Sequence, residues 1–99
     1  MKIAVKQSGG FAGEVKDLLQ LDTAQTEPSV SQQVERIIRD VKFFDLPAVV
    51  QGDVGADFLR YEITVTDSGR QHTVIFQDDG GAKTAAMKKL LESLLELRR

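Results

Sequence analysis

Apolar residues along this chain recur at every second position, then at helical spacing, then alternate again, and return to helical spacing near the end. In Lys2-Ile3-Ala4-Val5-Lys6-Gln7, the residues Ile3, Val5 and Gln7 share one face of a strand, with Lys2, Ala4 and Lys6 on the other. A second strand follows in Glu14-Val15-Lys16-Asp17-Leu18-Leu19-Gln20-Leu21-Asp22. There Val15, Leu19 and Leu21 share parity and Leu18 breaks it. Setting Ile3 and Val5 beside that apolar set requires a connecting loop of five or seven residues, or a bulge near Asp17-Leu18. The pattern leaves these alternatives open.

Val30, Val34, Ile37, Ile38 and Val41 then form the apolar stripe of an amphipathic helix. Pro28 suits its first turn, where a missing N–H costs nothing, and Thr26 or Glu27 can cap it. Arg36, Arg39 and Lys42 gather toward the end that the helix dipole favours for cations. Pro47 biases Leu46 away from helix, so Phe43-Phe44-Asp45-Leu46-Pro47 is expected to leave the helix extended, its two rings plugging the gap between helix and sheet. Val49 to Asp57 reads as a loop with Gly52, Gly55, Asp53 and Asp57.

The clearest sheet follows. Tyr61, Ile63 and Val65 alternate with polar residues, and so do His72, Val74 and Phe76 across Asp67-Ser68-Gly69-Arg70. A two-residue turn at Ser68-Gly69 pairs Ile63 with Val74 and Tyr61 with Phe76. A second helix starts near Ala82 to Thr84, with Met87, Leu90, Leu91, Leu94 and Leu97 as its stripe and Arg98 and Arg99 closing it. The expected architecture is a single α+β domain over residues 1–99, a four-stranded antiparallel sheet with two helices packed on one face in the order ββαββα.

Composition narrows the function more than the fold. The 99 residues suffice for one core. A net charge of −2, with Lys and Arg spread along the chain, argues against a nucleic-acid binder, which carries a basic stripe. Cysteine is absent, which excludes disulfides and thiolate metal sites and fits a reducing compartment. No signal peptide or membrane-length apolar run is visible, so a cytoplasmic protein is expected.

The chain offers little to a catalyst. His72 is the single histidine, faces Val65 on the expected pairing, and reads as a half-buried strand residue. Ser8 lacks the strand–turn–helix context of a nucleophile elbow. The glycines around it lead into a strand, and no Lys-Ser/Thr follows, so they form no phosphate loop. Asp78-Asp79-Gly80-Gly81 lacks the alternating carboxylates of a calcium loop and reads as a strand stop. An enzyme is not expected, and neither is a cofactor or a bound metal.

The exception to this ordinary inventory is Ser8-Gly9-Gly10-Phe11-Ala12-Gly13, a hairpin loop with an aromatic ring at its tip. A ring there either folds back on its own sheet or meets something else.

That hexapeptide resembles part of a known family when taken with three further segments. They are Phe43-Phe44-Asp45-Leu46-Pro47, Gly55-Ala56-Asp57-Phe58-Leu59-Arg60-Tyr61-Glu62-Ile63-Thr64-Val65, and the hairpin Asp67-Ser68-Gly69-Arg70-Gln71-His72-Thr73-Val74. Their order over nearly the whole chain is similar to that of the emfourins, bacterial protein inhibitors of protealysin-like, thermolysin-type zinc metallopeptidases. The chain departs from the pattern at Asp78-Asp79-Gly80-Gly81, where a proline-containing entry to the last helix is expected.

The resemblance implies a monomeric, non-enzymatic inhibitor whose partner is such a peptidase, with no role for nucleic acid or membrane. A thermolysin-type enzyme keeps one zinc position open and prefers a bulky apolar residue just after the cleavage point. An inhibitor can fill the first with a carboxylate and the second with an apolar side chain. On that implication Gly9, Gly10, Phe11 and Ala12 form the binding tip, with Phe11 as the apolar group, and Asp53 or Asp57 is the candidate carboxylate. The zinc belongs to the partner. The alternative is a regulatory or scaffolding module that self-associates or binds a protein through its sheet face, where Ile75 and Leu18 could form an apolar patch.

Overall fold

The structure, a computed structural model, describes residues 1–9, 15–50, 59–77, 81, 82 and 84–97. Its strands are β1 (Lys2–Ser8), β2 (Lys16–Asp22), β3 (Val49–Val50), β4 (Arg60–Asp67) and β5 (Arg70–Gln77). Its helices are α1 (Pro28–Asp40) and α2 (Ala85–Leu97). The strands form one mixed sheet in the order β2-β1-β4-β5-β3.

The fold class is α+β as expected, but the sheet has five strands rather than four and is not wholly antiparallel. The fifth strand is β3, inside the stretch expected to be loop. It runs parallel to β5, with Val49 opposite Ile75 and Val50 opposite Phe76. The Ile75 N–H donates to the Ala48 carbonyl at 2.8 Å. Pro47 explains the geometry: it keeps Leu46 extended (φ −73, ψ 148), and the chain then covers polar backbone along the outer edge of β5. Phe43-Phe44-Asp45 itself is not extended but makes one 3₁₀ turn before Leu46.

The β4–β5 hairpin follows its sequence. Ile63 faces Val74, Tyr61 faces Phe76 and Val65 faces His72. Ser68 (φ 52) and Gly69 (φ 81) both take the positive φ that a type I′ turn demands. In the first hairpin, the bulge is the alternative that the molecule uses. Val5 pairs with Leu19 and Lys6 with Asp17, which leaves Leu18 as the extra residue. Upstream of the bulge the parity shifts, so Val15 does not join the core and is 65% exposed.

One buried cluster holds the molecule together. Ile3, Val5, Leu19, Ile63, Val65, Val74 and Phe76 supply it from one face of the sheet, Val34 and Ile38 from α1, and Met87, Leu90, Leu91 and Leu94 from α2. Phe43 is 1% exposed and fills the gap between α1 and the sheet, as expected. Glu27 sits at the N-cap of α1 without a side-chain capping bond. Thr26 instead shares a hydrogen bond with Ser31 (2.5 Å), whose hydroxyl donates to the Thr23 carbonyl at 2.7 Å. α2 begins at Ala85, just after the expected start, and Thr84 beside it is buried with its hydroxyl donating to the Gly81 carbonyl (3.4 Å). Arg98, Arg99, Asp78, Asp79 and Gly80 lie outside the described residues.

Candidate functional site

Register decides which parts of the chain can act together. Ser8, the last residue of β1, lies opposite Arg60, the first of β4, and Arg60 lies opposite Gln77, the last of β5. One step further in, Gln7 faces both Lys16 and Tyr61, and Tyr61 faces Phe76, which faces Val50. The strand ends that lead into or out of segments 10–14, 51–58 and 78–80 therefore all sit at one end of the sheet. Of the site residues expected from sequence, Gly9 is described. It is exposed and its φ of +98 lies in the region that favours glycine, so the chain leaves β1 through a conformation other residues adopt at a cost. Gly10, Phe11, Ala12, Asp53 and Asp57 lie outside the described residues.

That end of the sheet carries residues that sequence reasoning missed. Val15, Val49 and Leu59 are the large hydrophobics exposed among the described residues, at 65, 49 and 37%. Val15 immediately precedes β2, Leu59 immediately precedes β4, and Val49 opens β3, which pairs with Ile75 and Phe76 just before the end of β5. Exposed Lys16 and Arg60 stand at the first positions of β2 and β4. The signal for Val15 was the parity break at Leu18, since a bulge there turns everything before it off the core face. Behind this end, Asp17, Lys6 and Glu62 form a cross-strand row of alternating charge.

The opposite end is tied together by aromatic contacts. Phe43 meets His72 edge to face with centroids 5.6 Å apart and Phe44 likewise at 6.1 Å. The Arg70 guanidinium lies 4.2 Å from the centre of the Phe44 ring. The His72 Nε2–H donates to the Leu46 carbonyl at 2.7 Å, so the single histidine is a brace between β5 and the turn after α1. A cavity of about 310 Å³ opens here, with Glu35, Arg39, Lys42, Asp67 and Arg70 on its walls. No nucleophile–base pair converges on it. Among the described residues no cluster of three or more His, Asp or Glu is placed to hold a metal, and no helix is long and apolar enough to cross a membrane.

The helix-free face of the sheet is polar around its centre. Thr64 and Thr73 share a 2.8 Å hydrogen bond across β4 and β5, and Gln20, Ala4 and Gln71 flank them. The expected pairing of Ile75 with Leu18 in one patch does not occur. Ile75 is on β5 and Leu18 on β2, with β1 and β4 between them, about 14 Å of sheet at ordinary strand spacing.

Comparison with known families is decisive. The Emfourin family model matches residues 5–95 of the 99-residue chain. The chain belongs to the Emfourin family. Neither the curated proteins nor the solved structures yielded a match. The matched span takes in β1 from Val5 onward, the other four strands, all of α1 and most of α2 of this emfourin, including each strand end described above. Family membership implies an inhibitor of metallopeptidases rather than an enzyme.

Proposed function

We propose that this emfourin inhibits thermolysin-type, protealysin-like zinc metallopeptidases as a single-domain monomer. It does so by presenting Gly9, Gly10, Phe11 and Ala12, together with Asp53 or Asp57, to the active-site cleft. The observation that carries the reading is the register of Ser8, Arg60 and Gln77, because it brings the borders of segments 10–14 and 51–58 to adjacent strand positions. Strands β1 and β4 are direct neighbours, so these borders are about 5 Å apart. An apolar group from one segment and a carboxylate from the other are then within range of one cleft.

The chemistry asked of each group is modest. A carboxylate occupies the open position of the partner's zinc and displaces the water that would attack the peptide bond. The Phe11 ring fills the adjoining apolar pocket, and glycines on either side let the backbone approach the cleft walls. The inhibitor itself needs no metal.

The test is a titration of thermolysin, or a protealysin-like enzyme, against cleavage of a small peptide substrate. Stoichiometric loss of activity is expected. Folded protein that leaves several such enzymes fully active would refute the proposal. Asn in place of Asp53 or Asp57 separates the carboxylates: the one that reaches zinc loses potency, and equal potency of both variants would remove the zinc contact from the mechanism.

A further inference from the structure

We infer that Val15, Lys16, Leu59 and Arg60, at the strand ends rather than in the segments between them, form a second contact ring that grips a carboxylate-bearing, partly apolar rim of the partner's cleft. The inference rests on the inhibitor reading above and adds to it a part of the surface and the chemistry of what it meets.

Three observations carry it. Exposure comes first: Val15 and Leu59 are two of the large hydrophobics left in water among the described residues, Val15 because the bulge at Leu18 turns it off the core face, and Leu59 although it shares the parity of buried Tyr61 and Ile63. Position comes next. They bracket β1 from either side, since β2 and β4 are its two neighbours, and so stand about 10 Å apart around Ser8 and Gly9. Charge comes last. The chain as a whole is acidic, at −2, yet the first residues of β2 and β4 are both exposed cations. Lys16 shares a row with Gln7 and Tyr61, whereas Arg60 lies opposite Ser8 in the adjoining row, so the two cations fall on opposite faces and bracket the end of the sheet.

The same register says how the cations act. One row behind them stand Asp17, Lys6 and Glu62. Among the described residues three cations stand against two carboxylates, and the bordering segments 10–14, 51–58 and 78–80 add Glu14, Asp53, Asp57, Asp78 and Asp79 with no base, so this end has no positive field to steer a partner from beyond a Debye length of about 8 Å. Lys16 and Arg60 therefore work at contact, by hydrogen-bonded pairing with carboxylates that the docked surfaces have desolvated. Their signature is in the rate of dissociation, not of association.

The experiment uses a thermolysin-type peptidase that the unaltered protein inhibits and follows association and dissociation separately by progress curves at low and high salt. The paired variant Lys16→Glu with Arg60→Glu is expected to dissociate about tenfold faster, with association changed by less than about threefold. Val15→Ser with Leu59→Ser is expected to give a similar acceleration that salt does not alter. Thermal melts check that these exposed positions leave the fold intact, and Lys16→Gln with Arg60→Gln repeats the test without introducing repulsion. Parent-like dissociation of the folded variants would overturn the contact ring while leaving inhibition through Phe11 standing. A fall in association alone would overturn the contact role of the cations. A parent protein that inhibits no such enzyme would overturn the underlying reading and the ring with it.

Discussion

The two ends of the sheet are built on opposite terms. At the hairpin end the outermost positions are Lys2, Asp22, Thr66, Asp67, Arg70 and Gln71, all polar, and the chain reverses through a two-residue turn. Every aromatic there has a partner: Phe43, Phe44 and His72 meet one another, and Arg70 covers Phe44. At the other end the large hydrophobics Val15, Val49 and Leu59 are left exposed, and Gly9 carries the chain out at φ +98. A tight turn with satisfied neighbours contributes stability and has little left to offer a partner. An end with apolar groups in water gives up stability and gains binding surface. The contrast predicts that substitutions at the hairpin end change melting temperature, and that substitutions at the other end change inhibition.

The largest effect belongs to Phe43. It is 1% exposed and wedged between α1, Phe44 and His72, so Phe43→Ala leaves a cavity that its neighbours can only partly close. A loss of about 3–5 kcal/mol is expected, enough to drop the melting temperature by well over about 10 °C in a domain of this size. Denaturant unfolding measures it. If the folded fraction of this variant also inhibits more weakly per molecule, the two ends are coupled and the contrast fails.

Phe11→Ala is the counterpart. A single aromatic anchor in a partner's pocket is worth about 2–4 kcal/mol of binding, a loss of about 30-fold to 1,000-fold in potency. The melting temperature is expected to stay within about 2 °C of the parent, as for a surface change. A variant that melts much earlier would show that the ring belongs to the core, and the functional assignment of the hexapeptide would fall.

How much of this was legible in the sequence differs between elements for physical reasons. The β4–β5 hairpin was legible in full, because alternation in both strands and the Ser68-Gly69 turn chemistry independently demand one register. The helices were legible from their stripes. β3 was not, since two residues carry no alternation and its pairing with β5 is set by where Pro47 sends the chain. The place of Val15 was misread for a subtler reason: a bulge at Leu18 was foreseen as one of several ways to align Ile3 and Val5 with Leu19 and Leu21, but its consequence for residues before it was not followed through. The bordering site residues Lys16, Leu59 and Arg60 gave no local signal at all. Their exposure and proximity are products of strand order, which no single segment encodes.

Lys42 sharpens the contrast by a smaller amount. It follows α1 in the left-handed conformation (φ 53, ψ 54), and its N–H closes the helix by donating to the Arg39 carbonyl at 3.0 Å. Glycine is the residue that takes this position without steric cost, whereas a side chain there raises the energy by about 1 kcal/mol. Lys42→Gly is therefore expected to raise stability by up to about 1 kcal/mol, part of the relief being offset by the freer unfolded chain. Potency should not change. A stabilised variant with weaker inhibition would mean that the cation beside the cavity at this end has a partner of its own.

The smallest effect tests whether the aromatic brace is as local as the geometry suggests. Arg70 is exposed, and its guanidinium sits 4.2 Å from the centre of the Phe44 ring. An exposed cation–π contact contributes about 0.5–1 kcal/mol, so Arg70→Ala should lower the melting temperature by about 2–8 °C. Arg70→Lys keeps the charge but loses the planar stacking, and it should fall between the two. Because the contact is made of a quadrupole and not of paired ions, salt should reduce the difference only slightly. A loss that vanishes at high salt would instead place the energy in charge pairing around Asp67, the residue opposite Arg70 across the turn. In either case inhibition should match the parent, because nothing at this end of the sheet is asked to touch the peptidase.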